Sequence, residues 1–194
     1  MPLRMEKQRF TEDAISKVDE ADRPSSSGFV QQDQQVLDAG PLIHLDELAA
    51  LLLIAGYREV LLPDLVEREA RRHRPAIQID TIPGLVRAIP GEPFPEAMLT
   101  LAIQFGLHAG ELAAITVLRE HHGDCLLSDD AAARAMAEAI GFQVRGTVGL
   151  ILRGWQRGQI AKGDARTLLT GLPHRSTLHL RAGLLAEVLQ QLKD

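Results

Sequence analysis

Residues 123–147 read GDCLLSDDAAARAMAEAIGFQVRGT. A short apolar run, CLL, meets two adjacent aspartates; an alanine-rich stretch of helical composition follows, stops at Gly141, and gives way to a second short run, FQV. Strand, helix and strand in that order form a crossover unit, which lays both strands parallel in one sheet. Asp129 and Asp130 stand where the first strand ends and the helix begins. One aspartate there is explained as an N-cap, because its carboxylate accepts the free amides of the first turn and suits the positive end of the helix dipole. The second needs another reason.

The same alternation runs in both directions from this unit. Upstream, QQVLDAG (34–40) predicts a strand ending near Asp38, and PLIHLDELAALLLIAG (41–56) a helix that starts at a Gly-Pro step and closes at Gly56. YREVLLP (57–63) predicts a second strand, and DLVEREARRH (64–73) a helix in which Asp64 and Glu67 have capping-box spacing. Residues 75–97 hold five prolines and two glycines and read as an irregular insert with room for one short strand. HAGELAAITVLREHHG (108–123) is helical. Downstream of FQV, helices are expected in TVGLILRGWQRG (147–158), GDARTLLTGL (163–172) and STLHLRAGLLAEVLQQLKD (176–194). The expected fold is an α/β three-layer α/β/α sandwich with a central, mostly parallel sheet.

Composition sets outer bounds on the class of protein. The chain has 194 residues, enough for one domain with a substantial core, and 45% hydrophobic with 24% charged residues is ordinary for a globular protein. Residues 1–34 are polar, with TEDAISKVDEADRPSSSG (11–28) mixing acids, Ser, Pro and Gly, and are expected to be a flexible extension containing at most a short helix in TEDAISKV. The domain is expected over 35–194. LAALLLIAG (48–56) falls well short of the ~20 residues that cross a bilayer, so no membrane association is expected. MPLRMEKQRF lacks the apolar stretch of a secretory signal, which makes a cytoplasmic location the expectation. A net charge of -5 argues against coating nucleic acid through a global positive field, although REARRHR (68–74) is a local basic run. The single cysteine, Cys125, reads as a buried hydrophobe.

In an open parallel sheet, ligands gather beyond the carboxyl ends of the strands. Asp38 and the pair Asp129/Asp130 occupy that position on two strands. Glu111 shares a helical face with Ala114, Ile115 and Leu118, so it leads an apolar stripe where an unpaired carboxylate is costly. Glu69 shares a face with Leu65, Val66 and His73, whereas Glu67 belongs to the capping box. Each acid has a plainer reading as a cap, a turn residue or a surface ion pair. Taken together they place acids at two strand ends and on two helices, without the His/Cys cluster that favours zinc. Converging carboxylates repel unless a cation sits among them, and hard oxygen donors suit Mg²⁺ or Mn²⁺. Two such ions about 4 Å apart can activate water and stabilise the leaving oxygen in phosphodiester hydrolysis. Asp38-Ala39-Gly40 offers neither the acidic pair nor the Asp-x-Asp that phosphoaspartate chemistry requires.

The order VLDAGPLIHL, LLPDLVEREA, AGELAAI, LLSDDAAARAMAEAIGFQVRGTVGLILRGWQRGQI and a closing S-x-x-L helix resembles PIN domains over about residues 35–192, and within them the branch related to VapC-type toxin nucleases. The match is poor across 74–106. The resemblance implies a metal-dependent ribonuclease acting on RNA, with an antitoxin protein as a possible partner and assembly as a homo-oligomer, a dimer in the simplest case. Carried over by motif, the catalytic acids are Asp38, Glu69, Glu111 and Asp130; the metal ligands are Asp38, Glu111, Asp129 and Asp130. The family's pattern of hydroxyl residue, variable residue and acid favours Asp130 over Asp129, with Ser128 as the hydroxyl. The competing reading is a silent PIN-like module that docks a protein or RNA and keeps its acids as caps.

Other residues invite function but have simpler accounts. His121 and His122 close a helix whose dipole they complement. Trp155 and Arg157 can stack on a base, although a core-anchoring Trp or a dimer contact explains the tryptophan better. Gly146, Thr147 and Gly149 lack the Lys-Ser/Thr of a P-loop, and Thr147 reads as an N-cap.

Overall fold

The computed structural model describes residues 34–91 and 94–192. Of the extension read over residues 1–34, residues 1–33 with their short helix lie outside the described residues, and Gln34 already belongs to the first strand.

Among the described residues five strands form one parallel sheet: β1 (Gln34–Leu37), β2 (Glu59–Pro63), β3 (Leu85–Ala88), β4 (Cys125–Leu127) and β5 (Gln143–Arg145), in the order β3-β2-β1-β4-β5. The first strand is therefore the central one. Val36, Leu37, Leu62, Leu126 and Leu127 are fully buried, as expected for a sheet covered on both faces. The helices are α1 (Ala39–Glu47), α2 (Asp64–His73), α3 (Glu96–Phe105), α4 (Ala109–Glu120), α5 (Ala131–Ala139), α6 (Thr147–Gln156), α7 (Lys162–Arg175) and α8 (Ala182–Gln191). Helix α4 lies against β1 and β2 and packs on α2 and α5, while α6 packs on α1 and α7. The expected α/β/α sandwich is the observed one. Among the described residues no helix is long and apolar enough to cross a membrane.

Four local expectations are corrected. The helix predicted over 41–56 stops at Glu47. Ala49 turns with φ 57° and the Ala50 amide reaches back five residues to the Leu45 carbonyl, after which Leu51–Gly56 forms a 3₁₀ helix that buries Leu53 and Ile54. The run Leu48–Ile54 is apolar at nearly every position, so periodicity had no power to find this break. Residues 96–105 form α3, so the irregular insert expected through residue 97 ends at Pro95, and the left-handed Gly106 is the helix's C-terminal stop. The closing helix begins at Ala182, leaving Ser176–Arg181 non-helical. The capping box of Asp64 and Glu67 does not form, because Asp64 is already the first helical residue after Pro63. Glu67 instead accepts hydrogen bonds from Arg71 and from Arg87 of β3, which binds the proline-rich insert to α2.

Candidate active site

Asp38 follows the central strand. Its amide continues the ladder by donating to the Leu127 carbonyl at 2.9 Å, and the Ser128 amide does the same to Arg145 at 3.0 Å. These two bonds place both residues side by side at the carboxyl edge of the sheet. The fully buried Ser128 hydroxyl donates to Asp38 Oδ2 at 2.6 Å and accepts the Asp130 amide at 3.1 Å, so it fixes the orientation of one acid while holding the turn that carries another. Asp38 is 4% exposed. Burial pushes its carboxyl up to about 6, against the lowering effect of the Ser128 and Ala39 hydrogen bonds, and the charges of Glu111 and Glu69 push in the same direction as burial.

The two adjacent aspartates have separate structural partners. Asp130 is the N-cap of α5, and its Oδ1 accepts the amides of Ala132 and Ala133, both at 2.8 Å. Asp129 reaches across to the following helix. Its Oδ1 accepts the Thr147 amide at 2.8 Å, and its Oδ2 accepts the Thr147 hydroxyl at 2.5 Å and faces His44 Nδ1 at 2.9 Å. Thr147 is thus the first residue of α6 rather than its N-cap, which is Gly146. A Cβ at 146 would come within 2.5 Å of Asp129 Oδ1, so glycine is what lets the carboxylate lie against this helix start.

Glu111 points inward as its stripe predicts, with only 14% of its side chain exposed, and it also accepts the His108 amide at 2.6 Å. Glu69, on α2, is exposed and brings its carboxylate toward the start of α4. A Cβ on Gly110 would lie 2.7 Å from Glu69 Oε2, so the glycine before Glu111 makes room for the second glutamate. Glu67 faces the other way into its arginines, whose hydrogen bonds, Arg87 first, lower its carboxyl below the ordinary range. Of the pair, Glu69 belongs to the cleft.

Asp38, Glu69, Glu111, Asp129 and Asp130 line one cleft of about 330 Å³ at the carboxyl edge of the sheet. Sequence reading missed its other wall. His44 and Ile43 come from α1, and Thr177, Leu178 and His179 from the segment between α7 and α8. For α1 a signal existed, since Gly40 and His44 stand one helical turn apart just after Asp38. Nothing local marks 177–179, where Thr177 meets Glu47 of α1 across 130 residues of chain.

The DUF3368 family model, described as a PIN domain, matches residues 34–194. The chain belongs to the PIN-domain family. No curated protein matches it. PIN domains are generally nucleases and typically use divalent metal ions. The donor chemistry of this PIN domain fits such an ion. Its acidic donors are hard oxygens, and the most buried of them, Asp38, is pushed toward its neutral form first by burial and then by the charges of Glu111 and Glu69. Among the described residues no three His, Cys, Asp or Glu side chains are already drawn into one ligand cluster. Asp129, Asp130 and Glu111 are each turned to a backbone amide.

The remaining candidates take structural places. Cys125 is buried at 3% exposure, and burial pushes its thiol up to about 11. Trp155 packs half-buried against the core, and the Arg157 side chain donates to the Gly56 carbonyl at 2.5 Å. His121 and His122 are exposed at the end of α4. In the basic run, Arg68, Arg71 and Arg74 pair with Asp64, Glu67 and Asp46, which leaves little of a phosphate-binding stripe.

Proposed function

We propose that this PIN domain is a divalent-metal-dependent endoribonuclease that hydrolyses phosphodiester bonds of RNA. The observation that carries the reading is the convergence of Asp38, Glu69, Glu111, Asp129 and Asp130 on a single cleft beyond the strand ends. Asp38, Glu111, Asp129 and Asp130 are the residues that would hold Mg²⁺ or Mn²⁺. Bound there, the metal supplies an activated water and neutralises charge on the scissile phosphate. Ser128 keeps the Asp38 carboxylate aimed into the cleft. Asp130 engages its cap through Oδ1, so Oδ2 is the oxygen with which it orients the attacking water. Glu69 works from the exposed rim, on the side from which substrate enters.

The test is cleavage of single-stranded RNA with Mn²⁺ or Mg²⁺ by the wild type and by Asp38→Asn. Equal cleavage by the two, with the fold intact, removes the reading. The VapC-like order of motifs supports the further reading of a cytoplasmic toxin, active as a homodimer and closed off by an antitoxin protein. Growth arrest that needs Asp38, and a dimer mass in light scattering, are its checks.

One observation favours a second reading. Asp129, Asp130 and Glu111 each have a backbone partner of their own, as they would in a silent module that docks a protein or RNA. Thermal stability separates the two, because a ligand that binds only the folded state raises the melting temperature. No shift at millimolar Mn²⁺ favours the silent module.

A further inference from the structure

The cleft has an apolar, non-acidic wall that the acid chemistry does not use. Ile43 and Leu178 are half-buried, pack on the core and line the cleft beside Asp38, and the exposed His179 stands next to Leu178 in the chain. This wall is anchored. Glu47 Oε2 accepts both the amide and the hydroxyl of Thr177, at 2.7 and 3.2 Å, and Arg175 donates to the Leu48 carbonyl at 3.2 Å. Ile43 and Glu47 lie one helical turn apart on α1, so the clamp sets Leu178 and His179 against the same helix that presents Ile43. Two aliphatic side chains and an imidazole at the rim make a surface for one flat, apolar-faced group. The cleft volume, near 330 Å³, is at the small end for a ligand pocket.

Resting on the nuclease reading above, the geometry points to a single-nucleobase subsite formed by Ile43, Leu178 and His179, in which one unpaired base of the RNA stacks while its phosphate faces the carboxylates. A polyanion gains nothing from the acids themselves, and this wall is the part of the cleft that offers a base apolar contact without metal. Stacking is indifferent to base identity and demands a base that has left any duplex, so the subsite takes any unpaired base with weak preference among them.

The experiment uses the full chain carrying Asp38→Asn, so that bound RNA is not cut, and a fluorescein-labelled ten-nucleotide single-stranded RNA read by fluorescence anisotropy. Adding His179→Ala is expected to weaken binding by about five-fold or more, the usual loss of one base stack. His179→Phe is expected to restore it, and a duplex of the same sequence is expected to bind weakly and to ignore both changes. Glu47→Ala, which releases Thr177 while leaving Ile43, Leu178 and His179 in place in the sequence, is expected to weaken single-strand binding as well. Unchanged binding in His179→Ala, or a Phe variant as weak as the Ala one, overturns the subsite while leaving the nuclease reading standing. A parent that binds no single-stranded RNA, from a wild type that cuts none, overturns both.

Discussion

Asp129, at the end of β4, accepts both the amide and the hydroxyl of Thr147, 18 residues later at the start of α6. Adjacent aspartates thus serve the starts of two helices: Asp130 caps α5, and Asp129 accepts the first amide of α6. Both aspartates serve the fold, and any catalytic duty is added to that service.

Thr147 is fully buried, and its hydroxyl has Asp129 as partner. Thr147→Val keeps the volume and removes the donor. Asp129 Oδ2 keeps His44 Nδ1 beside it, so the expected loss is that of one hydrogen bond to a charged group, about 1.5–3 kcal/mol. It is read as a lower urea midpoint at unchanged slope. An unchanged midpoint would show that the bond adds nothing net.

Capping and catalysis can be pulled apart at Asp130. Serine caps a helix as well as aspartate does, whereas alanine costs about 1 kcal/mol. Asp130→Ser is expected to melt within a few degrees of the wild type yet lose RNA cleavage; Asp130→Ala is expected to lose both. If the serine variant cuts RNA at the wild-type rate, Asp130 is a cap alone.

Asp38 has a folded value of about 6 against 3.8 for the free side chain. Because the folded value is the higher one, the fold favours the neutral carboxyl. Its stabilising effect is complete below pH 3.8 and is lost as the pH rises through 6, after which the buried charge costs about 3 kcal/mol. Metal-free Asp38→Asn is therefore expected to be more stable than the wild type at pH 8, by up to that amount, with the gap closing at pH 4. Millimolar Mn²⁺ is expected to raise the melting temperature of the wild type and to leave the asparagine variant where it was. A gap that is the same at both pH values would contradict the burial account.

Glu67 and Glu69 differ by two positions and by role. Glu67→Gln breaks partly exposed ion pairs with Arg71 and Arg87, and about 1 kcal/mol of stability is expected to go with them while cleavage is kept. Glu69→Gln is expected to do the reverse. Activity assays and denaturation curves on the two variants decide it, and matching behaviour would refute the division.

Much of this architecture could be read from the chain because short apolar runs bounded by Gly, Pro and Asp mark buried parallel strands. The runs around Val36, Leu61, Leu126 and Val144 are all strands in the structure. The cleft acids were visible for a similar reason: polar residues at strand ends and at the head of an apolar stripe stand out against their neighbours. What stayed hidden depends on distant partners. The break after Glu47 lies in a stretch too uniformly apolar to show a period. Glu67 has a local alternative as a cap and is settled by Arg87, which only the insert brings to it. Asp129 is settled by Thr147, and the wall of Thr177–His179 by Glu47 from the opposite end of the sequence.

The position of β1 in the middle of the sheet has a consequence for synthesis. Its two neighbours, β2 and β4, are widely separated in the chain, and β4 leaves the ribosome long after Asp38 does. Until Cys125–Leu127 is available, Asp38 has no Leu127 carbonyl to bond and no Ser128 hydroxyl to orient it. A nascent chain therefore holds its acids as separate, unassembled groups, and so does any product truncated before residue 125. The cleft carboxylates come together only once β4 has joined β1.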